Sequence, residues 1–190
     1  RNKIIISKKK YKKQFYLQQG VCEENPDVDA IYRLINKNIN IKFKNLKINL
    51  GNSISTFNSQ NTIWHKSIIP LMYLPVTCTM RSTDIWRSII ALKIMRVNKM
   101  DILFFGTTMY QKRNIHDLIN DFNDEIPIYK NNKIIFSILQ KIKLKKGHKF
   151  FLENMRICYI ELIKNKIFEK KELKYLNAWI KDCKKIIDIY

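Results

Sequence analysis

Apolar positions along this chain change their period several times, and each change predicts an element. From Thr83 onward Ile85, Ile89 and Leu92 fall four and three residues apart, with Trp86, Ile90, Ile94 and Val97 in a neighbouring stripe. That is the spacing of a helix with one broad apolar face. Ser82 and Thr83 are the candidate N-caps, and Asp84 falls in the first turn, where the helix dipole favours a carboxylate. Ahead of the helix, Pro70 and Pro75 bracket Leu71 to Leu74 too closely for a long helix. Val76, Thr77, Cys78, Thr79 and Met80 are β-prone and predict a short buried strand leading into it.

Elsewhere the pattern is weaker but readable. Phe15 to Leu17 predicts a brief strand, Asn25-Pro26-Asp27 a loop, and Ala30 to Leu34 a helix or strand that Asp27 or Asp29 would cap. Between 36 and 52 Ile39, Ile41, Phe43, Leu46, Ile48 and Leu50 alternate with Asn and Lys. Period two predicts edge strands or a hairpin, turned at Gly51-Asn52-Ser53. Asp101 to Gly106 reads as a strand ending at the glycine, and Ile115-His116-Asp117-Leu118 as the start of a helix that Pro127 closes. Beyond it come two further helices, one over 150–163 and one on which Leu173, Leu176, Ile180, Cys183 and Ile187 repeat at a 3,4,3,4 spacing. The helical, lysine-rich stretch over 130–190 reads as an extension of the part over 1–129.

Composition narrows the function classes. With 190 residues and a 46% hydrophobic fraction, the chain is long enough to bury a core. The formal charge of +20 would suit nucleic acid or an anionic surface. Lys, Asn and Ile are abundant together, however, and all three have codons rich in A and T, so genomic base bias competes as the cause. No RNA-binding aromatic motif, zinc spacing or recognition-helix pattern accompanies the charge, and nucleic acid is not expected as a partner. Cys22, Cys78, Cys158 and Cys183 lie far apart without a C-x-x-C pair, against a zinc site or disulfide scaffold. No apolar run reaches membrane-spanning length, so membrane association is expected only through parts outside this chain. The first residue is Arg, and a fragment or processed piece is expected.

Candidate chemistry gathers where the extended segment meets the helix. Arg81, Asp84, Trp86 and Arg87 fall within seven residues. Asp84 has two readings there: a first-turn carboxylate paired with Arg87 at i+3, or a site residue. Asn58 and Gln60 belong to an amide- and hydroxyl-rich stretch over 57–62 that suits a sugar or a nucleotide edge, and suits a loop nearly as well. Gln111 and Arg113 stand in a polar cluster fit for phosphate. Asp27 and Asp29 form the one D-x-D motif, a pattern that holds Mg²⁺ or Mn²⁺ at some strand ends and merely caps helices at others. His65 stands alone, and adjacent His116 and Asp117 would not face each other on a helix.

Several of these stretches resemble one family. Q-Q-G at 18–20, P-D-V-D-A-I-Y-R-L at 26–34, F-N-S-Q-N-T at 57–62, L-P-V-T-C-T-M-R-S-T-D-I-W-R-S at 74–88 and Q-K-R-N-I-H-D-L at 111–118 are similar, in this order, to motifs of the STELLO glycosyltransferase-like proteins. The resemblance spans about 18–129. A fainter likeness ties the same layout to the reversibly glycosylated polypeptides, the UDP-arabinopyranose mutases. There an Asp-Asp-Met-Trp motif opens the equivalent helix, and Thr83 stands here in place of its first aspartate.

The resemblance implies that 1–129 is a partial α/β domain, the C-terminal, acceptor-side part of an A-type glycosyltransferase fold, with a mixed sheet, flanking helices and a helical appendage over 130–190. It implies a nucleotide-sugar donor, such as a UDP-sugar, and a carbohydrate or protein acceptor. Asp84 would lie on the acceptor side, Arg81 or Arg87 would steady phosphate charge, Asn58 and Gln60 would meet sugar hydroxyls, and Trp86 would support the pocket wall. In STELLO-like proteins the aspartates that hold a divalent cation (Mn or Mg) precede the P-D-V-D motif, so its ligands are expected outside this chain rather than at Asp27 or Asp29. A plant-like location would be the lumenal side of the Golgi membrane. The plant proteins' part in organising cellulose synthase keeps an inactive scaffold or regulator as the alternative function.

Overall fold

The computed structural model describes residues 5–6, 15–36, 39–43, 47–49 and 55–187. The lysine-rich run up to 13 and the turn expected at 51–53 lie outside them. Five strands form one mixed sheet in the order β1-β3-β5-β2-β4, with β1 at Ile5–Ile6, β2 at Leu17–Glu24, β3 at Lys47–Asn49, β4 at Thr62–Trp64 and β5 at Ile102–Gln111. β2 and β5 run parallel at its centre, and the other pairings are antiparallel. Among the described residues five α-helices accompany the sheet: α1 at Ala30–Ile35, α2 at Thr83–Val97, α3 at Leu118–Lys141, α4 at Phe151–Lys164 and α5 at Glu172–Ile187. No helix among the described residues is long and apolar enough to cross a membrane.

The centre of the molecule is α2. Its residues Trp86 to Leu92, with Ile94 and Met95, are buried, because α3 and α4 pack against it and the 3₁₀ helix Lys66–Met72 closes a further side. A helix enclosed in this way needs apolar residues nearly all round, which the two neighbouring stripes supply. One hydrophobic core continues from Leu17 and Ile102 of the sheet through α2 to Leu139, Met155, Tyr159, Leu162 and Leu176. The boundary expected between 129 and 130 falls inside α3, and the core draws side chains from both sides of it.

Three sequence expectations change. β5 runs on past Gly106 to Gln111, with the ladder slipping between Gly20↔Phe105 and Cys22↔Met109, so the glycine marks an irregularity inside the strand and not its end. Pro127 does not close a helix, since α3 passes through it for 24 residues. Interior proline forfeits a backbone hydrogen bond at a cost of about 3 kcal/mol. That cost is borne because Glu125 is tied to Arg81 and Ala30 on one side of the proline and Ile135 and Leu139 are buried in the core on the other.

The stretch 76–80 forms no strand either. The amides of Val76 and Thr77 donate to the carboxylate of Glu172 on α5, at 3.1 and 2.8 Å to Oε2, and are lost to any ladder.

Candidate functional site

The helix start carries the chemistry. The chain reaches it through a short 3₁₀ turn, Met80–Ser82. Ser82 occupies the N-cap position but does not cap with its side chain, which donates instead to the Thr79 carbonyl at 2.9 Å. Asp84 in the first turn reaches across to the 57–62 loop, where its Oδ2 accepts the Ser59 backbone N–H at 2.8 Å. The Ser59 hydroxyl in turn accepts from Arg87 at 3.1 Å. Ser59 thus joins Asp84 and Arg87 of α2, and the loop is held against the helix.

Gln19 on β2 holds the other side of that loop. Its Nε2 donates to the Gln60 carbonyl at 2.6 Å, and its Oε1 accepts from the Asn58 amide at 3.2 Å and the Thr62 hydroxyl at 2.9 Å. The approach is close enough that a Cβ on Gly20 would come within 2.3 Å of Asn61 Nδ2 and 2.6 Å of the Phe105 ring, so a side chain there would have to displace both.

A cleft of about 470 Å³ opens between the α2 start, this loop, the 27–29 segment and α3. Asp84, Arg81, Asn58, Tyr129 and Asn132 line it. Burial pushes the Asp84 carboxyl above its ordinary pKa, and the Ser59 amide and the Arg87 charge only partly oppose the shift. This carboxylate, held by the backbone amides of Ser59 and Ile85, keeps an incompletely compensated charge and a side open to the cleft, and it can take up a proton from a bound hydroxyl.

Arg81 is differently placed. Its Nε donates to Glu125 Oε1 at 2.7 Å, a terminal nitrogen lies 2.5 Å from the same oxygen, and the other lies 3.4 Å from Asp121. Burial works against its charge, but Glu125 and Asp121 outweigh that, and its pKa ends above the ordinary value. Glu125 also accepts from the Ala30 amide at 2.8 Å and the Tyr129 hydroxyl at 3.0 Å, so one buried carboxylate joins α1, α3 and the turn before α2.

The remaining predicted residues scatter. Gln60 is tied by its Oε1 to the Asp27 amide at 3.0 Å and faces a neighbouring hollow. Arg87 is buried away from the cleft, its guanidinium 5.0 Å from the Trp64 ring centre and 5.8 Å from that of Phe57, an enclosure that lowers its pKa. Trp86 lies in the core against Phe168, yet its Nε1 donates to Asn132 at 3.0 Å and so steadies a cleft-lining side chain from behind. Gln111 pairs with Glu24 at the end of β5. Arg113 is bound between Asp27 at 3.1 Å and Asp121 at 3.4 Å.

The aspartates of the D-x-D motif are likewise engaged. Asp27 faces Arg113, and Asp29 caps α1 by accepting from the Tyr32 amide at 2.9 Å. Among the described residues no group of three or more His, Cys, Asp or Glu side chains is placed to hold a metal ion. His65 caps the 3₁₀ helix that follows it, and the four cysteines are free thiols.

Sequence reasoning missed Ser59, Glu125, Tyr129 and Asn132. The last three fall at i, i+4 and i+7, a single helix face, but that face shows only once Pro127 is allowed inside the helix.

Residues 81–189 match the model of the STELLO glycosyltransferases, a span that opens on the arginine at the cleft edge and takes in α2 through α5. Among curated proteins none matches the chain. A match across more than half of the sequence is enough to assign membership: the chain belongs to the STELLO glycosyltransferase family.

Proposed function

We propose that this cleft is the acceptor side of a sugar-transfer site, with Asp84 as the group that activates the acceptor. The observation that carries the reading is the placement of a half-buried, incompletely compensated carboxylate on a cleft whose other walls offer hydroxyl, amide and backbone groups. Sugars need such paired donors and acceptors. The acceptor hydroxyl gives its proton to Asp84, its oxygen bonds to the anomeric carbon, and the bond from that carbon to the nucleotide breaks with the electron pair leaving on phosphate. Asn58, Tyr129 and Asn132 hold the sugar hydroxyls, and a UDP-sugar is the donor.

An A-type arrangement and a divalent cation come with this reading from the family likeness. With Asp27 and Asp29 otherwise engaged, the cation's ligands are to be sought outside this chain. The test is to incubate the full-length protein with a panel of UDP-sugars and follow UDP release and sugar transfer. Turnover that Asp84→Asn abolishes in a folded protein supports the proposal. Turnover unchanged by that substitution removes Asp84 from the chemistry.

One observation favours a second reading, a non-catalytic scaffold or regulator of a polysaccharide-synthesising complex. Arg81, the arginine that lines the cleft, is already neutralised by Glu125 and Asp121 and brings no spare charge to a leaving diphosphate. A scaffold would keep its partners and its biological role in the Asp84→Asn protein.

A further inference from the structure

A second concavity, of about 810 Å³, lies between the 3₁₀ helix Lys66–Met72, the start of α4 and the outer part of α5. It shares no lining residue with the first. Its floor is apolar, made by Pro70, Phe151, Leu152 and Ile180. The floor is built firmly: Phe151 is fully buried beneath it, and Trp179 of α5 donates through Nε1 to the Pro70 carbonyl at 2.9 Å, tying the helix to the facing wall.

The rim is cationic. Lys149, Arg156 and Lys184 stand on it, all three exposed. Among the described residues no carboxylate is paired with Arg156 or Lys184. Glu153, the acid on this rim, is turned to Lys145 at 2.7 Å. Hydroxyl groups are scarce, because Ser67 is tied to His65 Nδ1 at 2.8 Å. A sugar would find little to bond here, in contrast to the first cleft. An apolar chain would cover the floor, and an anionic head would meet guanidinium and ammonium groups left without partners.

We propose that this concavity binds a single-chain amphiphile with a phosphate head, the chain over Phe151, Leu152 and Ile180 and the head at Arg156 and Lys184. The overall charge of +20 does not by itself mark the site; the coincidence of unpaired cations with an apolar floor does. The inference does not depend on sugar transfer at the first cleft.

The experiment titrates the full-length protein with hexadecyl phosphate below its micelle-forming concentration, by calorimetry, beside inorganic phosphate and hexadecanol. Saturable binding of hexadecyl phosphate, at least about tenfold tighter than either half-probe, is expected. R156E/K184E should weaken it by about tenfold or more, whereas K174E/K181E, which makes the same charge change elsewhere on exposed α5 positions, should leave it intact. Equal loss in both double variants would show general attraction to a basic protein and overturn the proposal. So would inorganic phosphate binding as tightly as the amphiphile, attachment to anionic vesicles without binding of the monomeric probe, or no binding at all.

Discussion

Asp84 and Glu172 are both carboxylates at the first turn of a helix, the first half-buried and the second fully buried, and their surroundings differ in one decisive way. Glu172 is 0% exposed and accepts from the Tyr73 hydroxyl at 2.5 Å, the Thr77 hydroxyl at 2.6 Å and the amides of Val76 and Thr77. Every side of it is filled by the protein. Asp84 has the backbone amides of Ser59, at 2.8 Å, and Ile85, and then the cleft. A carboxylate with all its acceptor positions satisfied holds structure, and one left partly open has capacity for a ligand. Glu172 also anchors the segment that leads into Met80–Ser82, so the closed carboxylate fixes the backbone from which the open one projects.

Removing the closed partner should have the largest effect. Glu172→Ala strands two amides and the hydroxyls of Tyr73 and Thr77. It should cost about 3 kcal/mol or more, a fall in Tm of roughly 10 °C by calorimetry. Glu172→Gln, which still accepts through its carbonyl, should lose less. Equal losses would mean that the site needs the charge and not the hydrogen bonds.

Arg81→Gln comes next. It leaves Glu125, a second buried carboxylate, without its ion pair while the Ala30 and Tyr129 bonds remain, and should cost roughly 2 kcal/mol in denaturant unfolding. A null result would place Glu125 with the open carboxylates.

Asp84 should show the opposite sign. Its folded pKa is raised, so between the unfolded pKa and the higher folded one the native state holds the extra proton. That contribution is fully present below the unfolded pKa and is lost as pH rises through the folded pKa. Unfolding free energy followed upward from pH 4 should therefore fall by more in the wild type than in Asp84→Asn. The smallest effect is the baseline: breaking the exposed Lys145–Glu153 pair with Glu153→Gln should change stability by no more than about 0.5 kcal/mol.

Much of this was readable from the residues, because some patterns have a single physical meaning. The stripes from Ile85 to Val97 gave α2, the 3,4,3,4 repeat gave α5, and Asn25-Pro26-Asp27 gave the loop before α1. What misled was punctuation whose meaning depends on distant partners. Gly106 signalled an end where the ladder only slips, and Pro127 signalled a stop where anchors on either side carry the helix through. The β-prone stretch 76–80 lost its strand to a carboxylate almost a hundred positions away, which no local reading can supply. At the site, Asp84, Arg81 and Asn58 line one cleft, whereas Trp86 and Arg87 turn inward because α2 is enclosed on nearly every side.

The most direct test measures melting temperature and UDP-sugar turnover together, in full-length Asp84→Asn and Glu172→Gln proteins. The account predicts that Asp84→Asn keeps its Tm and loses turnover, whereas Glu172→Gln melts lower and keeps turnover per folded molecule. Asp84→Asn that melts lower while turning over normally would contradict it.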